Sequence, residues 1–109
     1  MPLIDLNESP RVELIPGYHV HFVHSDNMTV ANWKIDQNAA LPEHNHPHEQ
    51  ILNLISGEFE LTVEGVAHHL IPGMVYVIPS GVSHGGRAIT NCHLIDVFYP
   101  VREDYRDKT

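Results

Sequence analysis

The chain has 109 residues, of which 42% are hydrophobic and 18% charged, and a formal net charge of -8. This size and composition favour one folded domain and exclude collagen-like and low-complexity classes, and the acidic balance without a basic cluster argues against nucleic-acid and membrane partners. Cys92 is the only cysteine, so no intrachain disulfide is possible, and because Asp5 and Glu8 do not fit a signal peptide we expect a cytoplasmic protein.

The first 17 residues are rich in turn signals. Prolines and a glycine flank a short apolar piece, Val12–Ile15. We predict an arm, residues 1–17, that lies on or swaps between subunits, followed by a single domain at residues 18–109. Because the strands after the arm are apolar at alternate positions and a sheet edge needs cover, we expect a homodimer.

Two segments after the arm are typical of strands. Residues 18–24 alternate apolar with polar side chains, and residues 28–35 are rich in β-formers, so the pair predicts a hairpin. His19 and His21 share one face of the first strand. With no further ligand type beside them, we expect both on an exposed face and not at a metal site.

The second half of the chain contains closely spaced short segments with strand character and no helical period. Phe59, Leu61 and Val63 share one face against polar neighbours, which indicates a strand with one wet side. Met74–Ile78 is nearly all apolar and predicts a buried central strand. Together the segments predict an all-β sandwich or barrel, with strands near residues 51–55, 59–63, 66–71, 74–78 and 92–99.

Two histidine-bearing pieces predict a metal site. His44 and His46 are two residues apart, a spacing that on an extended strand puts both on one face, about 6.6 Å apart. His84 follows a turn with proline and glycine, where we expect a loop to aim it inward. Three histidines are a transition-metal ligand set.

These two pieces resemble the motifs of the cupin family. The first motif runs His-x-His, three or four residues, Glu, six residues, Gly, and the second runs Gly, five residues, Pro-x-Gly, two residues, His. The matching residues are His44, His46, Gln50 and Gly57, then Gly73, Pro79, Gly81 and His84. The resemblance implies an all-β fold, the cupin double-stranded β-helix or jelly roll, and one divalent transition metal (Ni, Zn, Co, Mn or Fe).

Gln50 stands where the cupin motif has glutamate. The ligand set implied for the ion is therefore His44, His46, Gln50 and His84. Because an amide oxygen is a neutral ligand, the ion keeps its full formal charge of +2. Such a site favours an anionic ligand and the polarisation of an oxygen atom.

A narrower resemblance involves the end of the chain. Residues 94–105, together with the first motif, look like the small cupins of pectin degradation that linearise unsaturated uronates. The activity implied is ring opening and tautomerisation of 4,5-unsaturated uronic acid monomers from pectin or alginate lyases, which gives open-chain keto-uronates. The partner implied is a small anionic sugar acid.

The same resemblance implies catalytic candidates. Asp96 and Phe98 share a strand face that would line the barrel, with Asp96 as proton carrier and Phe98 as an aromatic wall. Parity alone also permits Asp96 on the wet face, because Ile95 and Val97 are equally apolar. Arg102 has a planar fork suited to a uronate carboxylate, and its alternative is a solvated arginine near the chain end.

Two other functions stay open at this point. One is a non-catalytic cupin that binds a sugar acid through its metal, which an inert Asp96 would favour. The other is an Fe(II) cupin dioxygenase, against which the missing carboxylate ligand argues, because a carboxylate stabilises oxidised iron. We expect an enzyme, and oxygen consumption separates the dioxygenase from the uronate-converting activity.

Overall fold

In the computed structural model, which describes residues 1–108, ten strands form two antiparallel sheets. The strands are β1 (Val12–Ile15), β2 (Tyr18–His24), β3 (Thr29–Ile35), β4 (Ala40–His44), β5 (Glu49–Ser56), β6 (Phe59–Val63), β7 (Val66–Leu70), β8 (Val75–Ile78), β9 (His84–Ala88) and β10 (Cys92–Tyr99). One sheet has the order β1-β2-β3-β10-β5-β8, and the other has the order β4-β9-β6-β7. The predicted all-β jelly-roll architecture is confirmed.

The core lies between the two sheets and follows the alternation seen in the sequence. Phe59, Leu61 and Val63 of β6 are buried, as predicted, and their polar neighbours face outward. The predicted hairpin is also confirmed: β2 and β3 pair in register from Tyr18 opposite Ile35 to His24 opposite Thr29. Inward side chains of both sheets thus form one apolar interior, with a cavity at its centre.

One strand prediction is wrong. Met74–Ile78 does not form a central strand: β8 starts at Val75 and lies at the edge of the six-stranded sheet. Val75 and Val77 point outward and are 54% and 61% exposed. A short apolar run indicates that both faces of a strand are apolar, but it does not tell whether neighbours flank both edges.

The N-terminal residues are tied to the six-stranded sheet. β1 pairs with β2, and Leu14 and Ile15 pack against the core. The boundary of a separate arm at residue 17 stays a prediction. On β2, His19 and His21 lie on the outer face, half-buried: the first is 3.1 Å from an Asp36 oxygen and the second bonds a backbone carbonyl.

The chain turns back over the barrel after β10. A cis peptide bond joins Tyr99 to Pro100, and a single helical turn follows, α1 (Glu103–Arg106). The sequence did not indicate this turn because four residues are too few for a period of 3.6 to repeat. Tyr105 stacks on Phe22 with ring centroids 4.6 Å apart. In the described chain, residues 1–108, no helix is long and apolar enough to cross a membrane.

Candidate active site

Strand pairing brings the three predicted histidines together. His44 ends β4 and lies directly opposite His84, the first residue of β9, while His46 follows two residues later in the turn before β5. The expectations of a shared strand for His44 and His46 and of a loop position for His84 are wrong. The three side chains nevertheless lie together: one ring nitrogen from each histidine lies within 4.8 Å of the others. Their role as metal ligands stays a prediction.

The hydrogen bonds of these histidines fix which nitrogen faces the cluster. His44, His46 and His84 each place Nδ1 2.9 Å from a backbone carbonyl two residues away. A carbonyl only accepts, so each Nδ1 carries the proton, and each neutral ring keeps a lone pair on Nε2. Metal-binding histidines have this arrangement, in which the second nitrogen is anchored by a backbone group.

Gln50 adds an oxygen lone pair to the cluster. Its Nε2 donates to Asp96 Oδ1 at 2.8 Å, which turns Oε1 toward His46 Nε2 at 3.2 Å. With the proton of neutral His46 on Nδ1, both His46 Nε2 and Gln50 Oε1 are acceptors, so no hydrogen bond joins these two atoms. Two ligands at about 2.1 Å from one ion are roughly 3.0 to 3.4 Å apart, so His46 Nε2 and Gln50 Oε1 have the spacing of two ligands of one ion. Three imidazoles and an amide oxygen are a donor set that fits a divalent transition metal.

Burial keeps two of the histidines neutral. It lowers the pKa of His46 to about 4, with a further contribution from the positive charge of Arg102. The pKa of His84 is also lowered, mainly by burial. Metal ligands must be deprotonated, so both imidazoles are ready to bind an ion at neutral pH.

Asp96 points inward from β10 beside this cluster. The sequence alone did not decide between this face of the strand and the solvent-facing one. Its two oxygens accept hydrogen bonds from Gln50 Nε2 and, at 3.1 Å, from Trp33 Nε1. Burial raises the pKa of Asp96 to about 7, although both hydrogen bonds and the charge of Arg102 act to lower it. A carboxyl group with such a pKa both gives and takes a proton near neutral pH.

Arg102 is buried, not solvated, with only 5% of the residue exposed. Its Nε and Nη2 donate to the two Asp104 oxygens at 3.0 and 2.8 Å. The guanidinium carbon lies 3.9 Å from the ring centroid of Tyr105 and 4.8 Å from that of Phe98. The fork predicted for a substrate carboxylate therefore already holds Asp104, and the hydrogen bonds from Arg102 lower the pKa of that acid.

All seven residues predicted for the site line one internal cavity of about 180 Å³. They are His44, His46, Gln50, His84, Asp96, Phe98 and Arg102. Most of the remaining lining is apolar or aromatic: Leu14, Ile15, Tyr18, Trp33, Ile35, Leu41, Leu52, Phe59, Leu61, Leu94 and Tyr105. The roles assigned to individual residues stay predictions.

The sequence did not single out Trp33 and Tyr105, both of which touch the polar part of the site. Trp33 donates to Asp96, and Tyr105 packs against the Arg102 guanidinium. The sequence contained a signal for Trp33: on an alternating strand it lies on the same face as the apolar residues Ala31 and Ile35, which predicts that it points inward. Tyr105 had none, since its position depends on how the tail folds back.

Comparison with known proteins places the chain among proteins of the same fold. It matches the Cupin_2 family, "Cupin domain", over residues 31–98. The structure of KdgF from Halomonas sp. covers 95% of this chain and 97% of its own, with 29% identity and a TM-score of 0.89. An RmlC-like cupin from Shewanella frigidimarina covers 96% of both chains, with 28% identity and a TM-score of 0.87.

A curated relative has a named activity. The H2HPP isomerase of Bacillus subtilis is 29% identical over 93 residues, which are 83% of this chain. The chain spans only 39% of the length of that relative. With the family match covering more than half of its residues, the chain belongs to the cupin family.

Proposed function

We propose that this chain is a metal-dependent enzyme that converts 4,5-unsaturated uronic acid monomers to open-chain keto-uronates. The observation that carries the proposal is the convergence of four neutral lone-pair donors beside a buried carboxyl group in one cavity. Support comes from the resemblance of the tail to the pectin-degradation cupins and from the similarity to KdgF over nearly the whole chain.

The ligand set decides what kind of chemistry the site favours. His44, His46, Gln50 and His84 would hold the ion, and when bound it supplies Lewis-acid polarisation of a substrate oxygen. None of these four side chains carries a negative charge. The site therefore attracts a carboxylate substrate more strongly than a site with a glutamate ligand would.

Asp96 carries the proton transfers in this proposal. Ring opening breaks the bond between the anomeric carbon and the ring oxygen while the anomeric hydroxyl loses its proton and the ring oxygen gains one. The resulting enol then gains a proton on carbon and loses one from oxygen, which gives the ketone. Both steps conserve atoms and electrons, so a group that gives and takes a proton near neutral pH is sufficient.

Arg102 and Phe98 form the wall next to Asp96. The guanidinium group gives this wall a positive charge that attracts the substrate carboxylate, and Phe98 excludes water from the same region. Because Asp104 occupies two of the Arg102 donors, binding of a carboxylate uses the remaining edge of the guanidinium or displaces Asp104.

The test is an assay of ring opening on lyase-generated monomers. Loss of the ultraviolet absorbance of the ring double bond is followed with metal-loaded protein, metal-stripped protein and no protein, since the monomers also open spontaneously. We expect only the metal-loaded protein to exceed the spontaneous rate. If it does not do so on monomers from pectin or from alginate, the proposal is wrong and sugar-acid binding without catalysis becomes the better account. Oxygen consumption in the same assay would instead indicate the Fe(II) dioxygenase.

The apolar lining of the cavity favours a second candidate, an isomerase acting on a carboxylic acid with an apolar ring. Most of the lining residues are apolar or aromatic, and the curated relative is named an isomerase. Apolar lining stabilises ligands that bring apolar surface. Calorimetric titration of metal-loaded protein with phenylpyruvate and with glucuronate separates the two candidates. Tighter binding of phenylpyruvate is expected for the isomerase, and tighter binding of glucuronate is expected for the uronate-converting enzyme.

A further inference from the structure

The tail of the chain folds around its own buried arginine. Arg102 N donates to Thr29 Oγ1 at 2.9 Å, and because Thr29 is fully buried, this bond fixes the backbone of Arg102 to the barrel. The carbonyl of Arg102 accepts a hydrogen bond from Tyr105 N at 3.0 Å. That bond closes a turn, which puts Asp104 and Tyr105 beside the guanidinium group.

The guanidinium group of Arg102 is held at one edge and over its face. Its Nε and Nη2 bind the two oxygens of Asp104, and the ring of Tyr105 packs on its face with the centroid 3.9 Å from the guanidinium carbon. The hydrogen bonds from Arg102 lower the pKa of Asp104, so this carboxylate stays charged at neutral pH. A planar group with a bidentate partner and a stacked ring has a defined orientation. The long side chain of Arg102 is therefore ordered before any ligand binds.

Asp104 and the candidate metal ligands lie on different sides of Arg102. Arg102 lines the cavity and Asp104 does not. The side chain of Asp104 is 56% exposed, whereas that of Arg102 is 7% exposed. Burial lowers the pKa of His46 and of His84, and the positive charge of Arg102 lowers both further. The guanidinium group thus stands between an exposed carboxylate and the cavity.

The contact with Asp104 decides which edge of the guanidinium group is left for a ligand. A guanidinium group offers a carboxylate one edge formed by Nε and Nη2 and another formed by Nη1 and Nη2. Asp104 occupies the first edge. On the second edge, two parallel N–H groups match the two oxygens of one carboxylate. A ligand that took the first edge would only exchange one carboxylate for another, without a gain in hydrogen bonds.

We propose that Asp104 is a positioning residue for ligand binding: it fixes Arg102 so that the edge formed by Nη1 and Nη2 receives the carboxylate of the substrate. This inference rests on the proposed function for the carboxylate of the ligand and not for the reaction. A ligand that must order one long side chain on binding loses roughly 3- to 10-fold in affinity. Because Asp104 orders Arg102 in the free protein, a carboxylate ligand avoids this loss. Asp104 also supplies the partner without which a buried charge is unfavourable.

Calorimetric titration of metal-loaded protein with glucuronate and with glucose tests the proposal, because these two ligands differ in the carboxylate group. We expect Asp104→Ala to weaken glucuronate binding roughly 3- to 10-fold and to leave the weaker binding of glucose unchanged. Asp104→Asn keeps the size of the side chain and one acceptor oxygen, so its affinity should lie between those of the wild type and Asp104→Ala. Metal analysis and circular dichroism verify that each variant keeps its metal and its fold.

Glu103→Ala is the matched control. Glu103 lies on the same helical turn with an exposed side chain, and its carboxylate oxygen is 3.0 Å from Arg106 Nε. This substitution removes the same charge from the same turn without touching the contact between Asp104 and Arg102. It therefore measures the long-range effect of the charge alone, and we expect it to bind glucuronate as the wild type does.

A double-variant cycle tests whether Asp104 acts through Arg102. When Asp104→Ala is added to Arg102→Ala, we expect no further loss of glucuronate affinity. Kinetics give an independent reading, since Asp104→Ala should raise KM for the uronate and leave kcat nearly unchanged. A merely structural role of Asp104 would instead weaken glucose and glucuronate binding alike.

Three results would overturn the proposal. Tighter binding of glucuronate to Asp104→Ala would show that Asp104 competes with the ligand for Arg102. An equal loss of affinity with and without Arg102 would show that Asp104 acts elsewhere. A wild type that does not prefer glucuronate to glucose would show that Arg102 does not receive the carboxylate. Absence of turnover with the expected affinities would contradict the proposed reaction and still support the positioning role.

Discussion

Asp96 has two tasks in the proposed site, since it carries the proton and also orients a ligand. Both of its oxygens accept hydrogen bonds, from Gln50 and Trp33. An asparagine at this position has one oxygen that accepts and one NH₂ group that donates. Its NH₂ group must therefore face either Gln50 Nε2 or Trp33 Nε1, each of which is itself a donor. The amide of Gln50 can resolve the conflict by turning over, which takes its oxygen away from His46.

We therefore predict that Asp96→Asn lowers turnover of the uronate by roughly 10²- to 10⁴-fold, the usual worth of general acid-base catalysis, and also weakens metal binding. The double variant Asp96→Asn with Gln50→Glu separates the two effects. Its introduced carboxylate accepts a hydrogen bond from the introduced asparagine amide and still presents an oxygen to the ion. We expect metal content to recover in the double variant while turnover stays low.

The measurements are metal analysis after dialysis and the ultraviolet assay, made on the same preparations. Recovery of turnover together with metal content would show that Asp96 only positions Gln50. Full metal content in the single variant would contradict the argument about the amide of Gln50.

Arg102 allows a second prediction, because its charge and its fork can be tested separately. Arg102→Lys keeps the charge and loses the planar fork, whereas Arg102→Ala loses both. If the guanidinium binds the carboxylate equally in ground and transition states, Arg102→Ala should raise KM roughly 10- to 100-fold with little change in kcat.

Arg102→Lys should then fall between the wild type and Arg102→Ala. Since Arg102 is buried against Tyr105 and Phe98, thermal unfolding of both variants must accompany the kinetics. A fall in kcat at unchanged KM in a folded Arg102→Ala variant would show that the group acts only in the transition state.

At the scale of elements, β9 depends on the close contact between Gly86 and β6. A Cβ atom on Gly86 would lie 2.5 Å from two ring atoms of Phe59, a core residue that also lines the cavity. Glycine to alanine usually stabilises by about 0.4 to 1 kcal/mol through the unfolded chain. Overpacking a core costs about 1 to 3 kcal/mol. The clash should therefore outweigh the gain, and the substitution should lower the free energy of unfolding.

We predict that Gly86→Ala lowers the free energy of unfolding by about 1 to 2 kcal/mol, measured by urea denaturation. Phe59→Leu should lessen the loss when it is added to Gly86→Ala, because the smaller side chain leaves room for the new methyl group. If the two substitutions destabilise additively, the clash does not explain the effect.

The elements that the sequence predicted are those whose side chains alternate or run apolar. β2, β3, β5, β6, β7 and β10 were found in this way, within a few residues of their bounds. β4 and β9 were not found, because one contains Pro42 and Glu43 and the other starts His84-Gly85-Gly86. Their strand form comes from pairing with each other across the site, which is a tertiary effect.

The four candidate metal ligands could be proposed from the sequence because motif spacing is a local property of the chain. The candidates Asp96, Phe98 and Arg102 came from the family resemblance, since parity left the face of Asp96 open. The partners of these residues were not predicted, since the bonds from Trp33 to Asp96 and from Arg102 to Asp104 depend on folding. Nor could spacing indicate that the histidines are anchored by backbone carbonyls. That feature requires the actual turns around His44, His46 and His84.

At the scale of the whole molecule, the cluster of facing lone pairs links metal binding to stability. Three imidazole nitrogens and an amide oxygen meet only in the folded chain, where β4 and β9 pair and the turn before β5 closes. An ion that binds the folded and not the unfolded chain stabilises it by about 2.7 kcal/mol at a free concentration about 100 times its dissociation constant.

We predict that adding Ni²⁺ or Zn²⁺ to metal-stripped protein raises Tm by roughly 10 to 20 °C, since about 1 kcal/mol corresponds to about 4 to 8 °C in a domain near this size. His46→Ala should remove most of this rise, because it deletes the buried imidazole that faces Gln50. His69→Ala is the matched control, as His69 lies exposed on β7 beside Glu58. The measurement is scanning calorimetry with and without metal. An equal rise in Tm for both variants would place the bound ion on surface histidines and not in the cavity.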